Sequence, residues 1–420
     1  MLAFLRTPGP VRRFLLAALQ SSVGNGIGYV ALLLVAKESW SSPWAVSLVL
    51  LADFLPAIAL APLFGAIADR SSRRTLIVGA ELLCGAAFVA LAFAHAFGGV
   101  LVLALVAGVG TAMFHPASKS ALAGLAGDDA ERAMGALVTM WSAASVVGPA
   151  LGAVLLLVFS PSALLLVDAA TFFVSAVVLS RLALDREETV PGSDAVSDAG
   201  FASNVNLAIA AGELPVHETD PGAVHGVRAG LRAARAVPGL VAVVGAGAAA
   251  TLAFSLMNVA EPLLAIDELD AGGAGFALLV CVYGIGSTLG AMRGRAQARL
   301  LIGSLAGGGL ALSASAVAPS LAVAAFTFFA TGVFGGTVIS SDHQLVTRMT
   351  PTAVRGRVFG LKDSLDSIAF CAAFAGGGIV ATLGGSRAVF AVSGSGALLV
   401  AAVATIVLRQ ARVPAAERAG

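Results

Sequence analysis

Charge is scarce in this sequence: 12% of its 420 residues are Asp, Glu, Lys or Arg, about half the share found in soluble domains. Cysteine is scarcer still. Cys84, Cys281 and Cys371 each lie inside an apolar run, so they read as small buried hydrophobes without a disulfide or thiolate framework. The five histidines have no metal-ligand spacing. No G-x-x-x-x-G-K-S/T loop is present, which argues against ATP-driven pumping by this chain alone. No nucleophile, base and metal constellation marks an enzyme, and a net charge of +1 gives no footprint for nucleic acid. The alternation expected of membrane strands is missing as well, with Ala, Leu and Gly dominant, so an outer-membrane barrel is excluded. The dinucleotide-loop look of "GIGSTLG", residues 284–290, has neither a preceding strand nor an acidic partner, and reads as helix packing.

What the chain has in abundance is apolar length. Its apolar share is 58% and its mean hydropathy +0.94. A helix of roughly 20 apolar residues crosses a hydrocarbon core of about 30 Å, and with no water to satisfy open backbone groups each such run must be helical. Twelve runs are expected, near 13–36, 43–68, 75–95, 98–121, 132–158, 162–182, 239–262, 273–292, 299–318, 320–345, 357–382 and 386–408. The opening stretch is not read as a secretory signal, because no small-residue cleavage site ends a short apolar core and the run continues at spanning length. With the amino terminus inside, only Lys37 and Arg387 of the 25 basic residues fall on the outer connections. That asymmetry predicts a multi-pass protein of the cytoplasmic membrane with both termini cytoplasmic and the lipid bilayer as its partner. Trp40 and Trp44 then belong at the outer interface.

The expected organisation is an amino-terminal six-helix bundle (1–183), a polar cytoplasmic linker (184–237) and a carboxy-terminal six-helix bundle (238–420). The linker is rich in Pro, Gly, Ser and acids, a disorder-prone composition. Its end places Arg228, Arg232 and Arg235 on one helical face, either an amphipathic helix lying on anionic lipid or a solvated lead-in to the next span. The bundles read as copies. An offset of 225 residues pairs Arg70 with Arg295, Arg74 with Arg299 and Arg132 with Arg357, and glycines follow the same offset. Two parallel repeats around a central site form an all-α membrane architecture used by transporters.

The connection after the second run, "GAIADRSSRR", supplies Gly65, Asp69, Arg70, Arg73 and Arg74 in the pattern G-x-x-x-D-R/K-x-G-R-R/K, with Ser72 in the usual glycine position. In this the chain resembles the major facilitator superfamily, and the resemblance implies that this motif gates the cytoplasmic side. Gly135, Gly148, Pro149 and Gly152 partly match the family's antiporter-type motif, Ala144 and Ala153 replacing two of its glycines. Small residues let helices approach, and proline bends the span; a merely well-packed helix is the simpler reading. "LLAALQSSVGNGIGYVALLL", "GTAMFHPASKSAL", "LLLVDAATFFVSAVVL" and "TPTAVRGRVFGL" are similar to the branch that holds the enterobactin exporter and macrolide efflux proteins, where an Asp often stands in place of Asn25.

An ionisable group at mid-membrane costs roughly 2.5–3.5 kcal/mol on insertion scales, so it marks function by default. Asp53 and Asp366 are the leading candidates for proton coupling, with Glu81 and Asp168 behind them; a hydrogen-bonded structural carboxylate is the competing reading of each. Polar and aromatic residues amid apolar spans nominate Gln20, Asn25, Tyr29, Trp141, Phe254, Asn258 and Tyr283 as cavity lining, though each singly suits helix packing as well. The expected function is secondary active, proton-coupled export of a small amphipathic compound, a drug or natural product, by alternating access. A siderophore exporter of the same fold and a non-transporting membrane scaffold or sensor are the alternatives. No cofactor is expected, the proton gradient is the energy source, and the chain should act as a monomer.

Overall fold

The structure, a computed structural model, describes residues 9–40, 42–60, 64, 67, 72–184, 230–351 and 354–410, and no strand occurs among them. Six helices precede residue 184: α1 (Pro10–Ser39), α2 (Trp44–Ala59), α3 (Arg73–Ala92), α4 (Phe97–Ala126), α5 (Ala130–Leu155) and α6 (Pro161–Ser180). The second set begins with α7 (Leu240–Glu268), α8 (Gly272–Arg293), α9 (Ala298–Ala316) and α10 (Leu321–Met349). The final stretch, Arg355–Gln410, is broken at Gly385, whose φ of 76° and ψ of −178° suit glycine alone. It therefore comprises α11 (355–384) and α12 (386–410). Among the described residues nine helical stretches of at least 18 residues are apolar enough to cross a membrane, Val358–Leu408 covering both α11 and α12, and Trp44–Pro56 is a shorter apolar helix.

Local chemistry sets several boundaries. Ser72 caps α3 by accepting from the Thr75 amide at 3.2 Å, and Ser160 caps α6 through the Ala163 amide at 3.3 Å. Pro10 and Pro161 occupy first-turn positions, where the missing amide costs nothing. α7 is not uniform: Leu240–Ser255 gives way to Met257–Leu263, which contains Pro262, and then to a π turn over Leu264–Glu268. A π turn of this kind inserts one extra residue and often falls at a functional site.

The same helix pairs touch in both halves. α1 packs on α5 and α6, α3 on α4 and α6, and α2 on α4; correspondingly α7 packs on the α11–α12 stretch, α9 on α10 and on that stretch, and α8 on α10. Between the halves, α2 packs on the α11–α12 stretch and α5 on α8. Phe54 of α2 lies beside Phe370 and Phe374 of α11, ring centres 5.9 and 5.4 Å apart. Trp44, at the start of α2, approaches Gly378 of α11, and Trp40 is exposed and rests on Phe97 at 4.6 Å.

The apolar cores differ between the two ends of the bundle. At the arginine-rich end each half has its own: Phe14, Leu15, Ile77 and Leu122 in the first, Leu240, Leu301, Leu345 and Leu361 in the second. At the opposite end one core joins them, with Val30, Leu33 and Leu50 packed among Leu264, Phe276 and Phe374. Among the described residues, then, the halves are sealed to each other by apolar packing at one end only. Large apolar side chains such as Phe326, Leu383, Leu399 and Met292 are exposed on the outside, an arrangement that lipid rewards and water penalises.

Candidate functional site

A cavity of about 480 Å³ lies at the junction of the halves. α1 contributes Asn25 and Tyr29, α2 Asp53 and Phe54, α3 Glu81, α5 Trp141, α7 Asn258 and Glu261, and α8 Tyr283. Five of the seven side chains that the sequence nominates as lining are therefore present. Phe254 faces a smaller adjoining cavity of about 290 Å³, and Gln20 borders neither.

The carboxylates separate into distinct environments. Glu81 is buried and accepts hydrogen bonds from Ser21 at 3.1 Å and Ser175 at 2.8 Å, two hydroxyls on α1 and α6. Asp53 lines the central cavity with no hydrogen-bond donor among the described residues. Asp168 lies behind the wall, fully buried; Oδ1 faces the Thr171 hydroxyl at 3.4 Å, and Oδ2 has no partner and stands against Gly28 of α1. Asp366 borders the adjoining cavity instead, where Lys362 Nζ contacts its Oδ2 at 2.6 Å and Thr251 donates to its Oδ1 at 3.2 Å. The same Lys362 nitrogen reaches Asp342 Oδ2 at 2.8 Å, and both Lys362 and Asp342 are buried. Asp366 thus belongs to a three-residue ionic network within the second half.

Two residues of consequence were not singled out from the sequence. Glu261 stands beside Pro262 at the expected end of the seventh span, where an acid reads as loop; the π turn carries the helix on to Glu268 and keeps Glu261 inside. Lys362 follows Arg355 and Arg357, a basic run that reads as membrane interface. The available signal for it was the i, i+4 spacing to Asp366.

The motif residues have mixed outcomes. Gly65, Asp69 and Arg70 lie outside the described residues, as does Arg228; Arg73 and Arg74 open α3, and Arg73 approaches Gly124 of α4. Arg232 and Arg235 are exposed on a helical turn over 230–235, whose Ala234 is buried in the core of the second half. In α5, a Cβ on Gly148 would lie 2.8 Å from the Gly26 Cα, and one on Gly152 would lie 2.9 Å from the Ile27 Cα. These glycines let α1 and α5 meet backbone to backbone beside the cavity, where Pro149 lines the wall. Gly135 is exposed, with open space around it.

At the end opposite the arginines, Lys37 of α1 pairs with Asp267 of α7 at 2.7 Å, a bridge between the halves. Its neighbour Glu268 holds Arg387 at 3.3 Å and accepts from Ser386 at 3.3 Å, both from α12. The two basic residues that break the charge asymmetry are thus each matched by an acid on the π turn. Cys84 is a buried free thiol directed at the Ala107 carbonyl at 3.5 Å, whereas Cys281 and Cys371 are free and only partly buried.

Two six-helix units with a cavity at their junction and a lipid-facing exterior define a polytopic membrane transporter. The profile of the Major Facilitator Superfamily matches residues 14–301, more than half of the chain, and the chain belongs to that superfamily. An uncharacterised MFS-type transporter, YfiS, of Bacillus subtilis (strain 168) is 27% identical over 388 residues, covering 89% of this chain and 87% of its own length. Macrolide efflux protein A of Streptococcus pyogenes is 21% identical over 365 residues, covering 83% and 84%. Among solved structures, a POT family transporter in complex with 5-aminolevulinic acid superposes with a TM-score of 0.68 at 12% identity, over 96% of each chain, a likeness of fold. The protein is accordingly a multi-pass membrane transporter of that superfamily and not an enzyme.

Proposed function

We propose that this chain is a secondary active exporter of the cytoplasmic membrane, with both termini in the cytoplasm, that moves a small amphipathic compound outward in exchange for protons. The observation that carries the reading is the placement of the cavity: it lies between two halves joined by a shared apolar core at one end, while each half keeps its own core at the arginine-rich end. Lysine and arginine retained on the cytoplasmic side make the arginine-rich end the inner one, so the cavity faces inward and alternating access requires the outer core to part. Rocking of two repeats about a central site is the motion such an architecture permits.

Proton coupling is assigned to Asp53 and Glu81. Both line the cavity, one from each of two adjacent helices of the first half, and neither is neutralised by a basic side chain among the described residues. A carboxylate in that setting exchanges a proton as water enters and leaves. The Asp69 motif, by its resemblance to the family's, supplies the cytoplasmic gate, and the transporter works as a monomer. The likeness to a macrolide efflux protein supports export of natural-product-sized compounds.

The reading is tested by accumulation of a panel of fluorescent amphipathic compounds and macrolides in an efflux-deficient bacterial host, combined with substrate-induced proton release from acid-loaded everted vesicles. Wild type should lower accumulation of at least one compound and release protons when it is added. Asp53→Asn and Glu81→Gln should each abolish the proton signal. Proton-dependent transport at wild-type level in both variants would end the coupling assignment, and unchanged accumulation of every compound would end the export reading.

A further inference from the structure

We infer that the cargo is an organic cation, and that Glu261 is the group that holds its positive centre. The inference rests on the export reading above and names the chemical class that the same cavity selects.

The argument begins with a charge imbalance. The central cavity is lined by Asp53, Glu81 and Glu261, and no lysine or arginine stands among its described lining residues. Two basic side chains stand at its edge: His115, which lines the wall edge-on to Trp141 at 4.6 Å, and Lys119, whose ammonium is 5.9 Å from the centre of that ring. Next door, the protein neutralises a buried and a half-buried carboxylate with a lysine: Lys362 compensates Asp342 and Asp366. The fold therefore has the means to pay off a buried negative charge and leaves the central three without it.

Glu261 is the most informative of the three. It is 5% exposed, lines the cavity, and has no hydrogen-bond donor among the described residues. Glu81 at least accepts from two serines. A desolvated, unpartnered carboxylate is costly unless something of opposite charge occupies the space beside it. Glu261 comes from α7 in the second half, whereas Asp53 and Glu81 come from α2 and α3 in the first. A cation bound between them touches both halves.

Two further observations narrow the cation. Among the described residues no group of three His, Cys, Asp or Glu side chains could hold a metal ion, so the three acids do not make up a metal-binding cluster. The walls between them are aromatic, with Phe54, Phe114, Trp141, Tyr283 and Phe370 facing the same space. Aromatic faces attract an alkylated or delocalised positive charge and also bury its apolar body. An amphipathic organic cation meets both demands, and an organic anion of the same shape meets repulsion from all three acids.

The experiment compares two ions of matched size and opposite charge, tetraphenylphosphonium and tetraphenylborate, with neutral triphenylphosphine oxide as the reference for apolar contact. Binding to the purified full chain in detergent is measured for wild type, Glu261→Gln and Glu261→Asp, and transport of the same three compounds in everted vesicles. Wild type should bind the phosphonium about tenfold or more tighter than the borate. Glu261→Gln should weaken the phosphonium about tenfold, leave triphenylphosphine oxide unchanged, and narrow the cation-to-anion ratio, while Glu261→Asp should preserve that ratio. Equal or tighter binding of the borate by wild type overturns the inference, as does unaltered phosphonium binding by Glu261→Gln. If Glu261→Gln also loses the neutral compound, its fold is compromised, and the ratio in wild type and Glu261→Asp decides. Transport of the neutral or anionic compound without the cation would sink the cation assignment and leave export standing; binding of the cation with transport of none would support the site and remove the export reading.

Discussion

Replacing Lys362 by Met removes the single positive charge between the buried Asp342 and the half-buried Asp366 and keeps a side chain of similar reach. In the native protein its ammonium lies 2.8 Å from Asp342 Oδ2 and 2.6 Å from Asp366 Oδ2, and it is 3% exposed. At an effective dielectric of about 20, an ion pair at about 3 Å gains about 5 kcal/mol, most of which offsets the desolvation of its members. The net worth of the network is therefore small, but breaking it is expensive. Two carboxylates left about 5 Å apart repel by about 3 kcal/mol at the same dielectric, and each has lost its counter-ion. The expected loss of stability in Lys362→Met is about 3–5 kcal/mol, with uptake of a proton by one aspartate setting the upper bound. The assay is the fraction of protein that stays monodisperse after heating in detergent, read beside the amount inserted in the membrane. Combining Lys362→Met with Asp342→Asn and Asp366→Asn removes the uncompensated charges and should recover most of the loss. A Lys362→Met protein as heat-resistant as wild type would refute the reasoning, and so would a triple variant no more stable than the single one.

Glycine contacts between α1 and α5 predict that Gly148→Leu forces the backbones apart near the cavity and abolishes transport, whereas Gly135→Leu, in open space, is tolerated; the host accumulation assay separates the two. Ser175→Ala and Ser21→Ala together leave the Glu81 carboxylate without its hydroxyl donors and should cost about 1–3 kcal/mol each in thermal resistance, which a melt of the double variant checks. Asp267→Asn breaks a bridge whose acid is 48% exposed, so it should change stability by less than about 1 kcal/mol; a shift of several degrees in the melt would show the pair to be far better shielded. Asp69→Asn should insert normally and lose transport; wild-type transport would remove the gate role inferred for it.

The spans were legible because hydrocarbon imposes one solution on an apolar run. Length alone was enough to find α1, α3, α4 and α6, and the glycines after Leu383 marked the break between α11 and α12. Asp53 and Glu81 were legible as carboxylates isolated within apolar sequence, and Asn25, Tyr29, Trp141, Asn258 and Tyr283 as polar or aromatic interruptions. Depth around the helix axis was not legible. Whether Asp366 faces the central cavity or a lysine one turn away depends on how α11 rotates against α10, and i, i+4 spacing only permits the pair. Glu261 was hidden for a different reason: Pro262 and the acids at 267, 268 and 270 look like a loop, and a π turn is invisible to a search for regular periodicity. Gln20 shows the converse, a polar residue on the right helix that borders neither cavity.

On the proposed orientation the end opposite the arginines is the outer one, and the question there is what resists opening. Among the described residues Lys37–Asp267 is the ionic link between the halves there, since Arg387–Glu268 stays within the second half. A pair whose acid is about half exposed to water contributes about 1 kcal/mol or less. The apolar core behind it, where Val30, Leu33 and Leu50 meet Leu264, Phe276 and Phe374, has to part for an outward-open state to form. Each fully buried side chain of that size represents about 1.5–3 kcal/mol of lost burial when water enters. Opening is thus governed by apolar separation, with the ion pair setting register. The π turn links this barrier to the binding site: Leu264 belongs to the core, Asp267 to the bridge, and Glu261 faces the cavity less than one helical turn before Leu264. On the cation reading, a positive charge drawn against Glu261 would act on the same short segment that closes this end, and occupancy and opening would be coupled through one element of the second half.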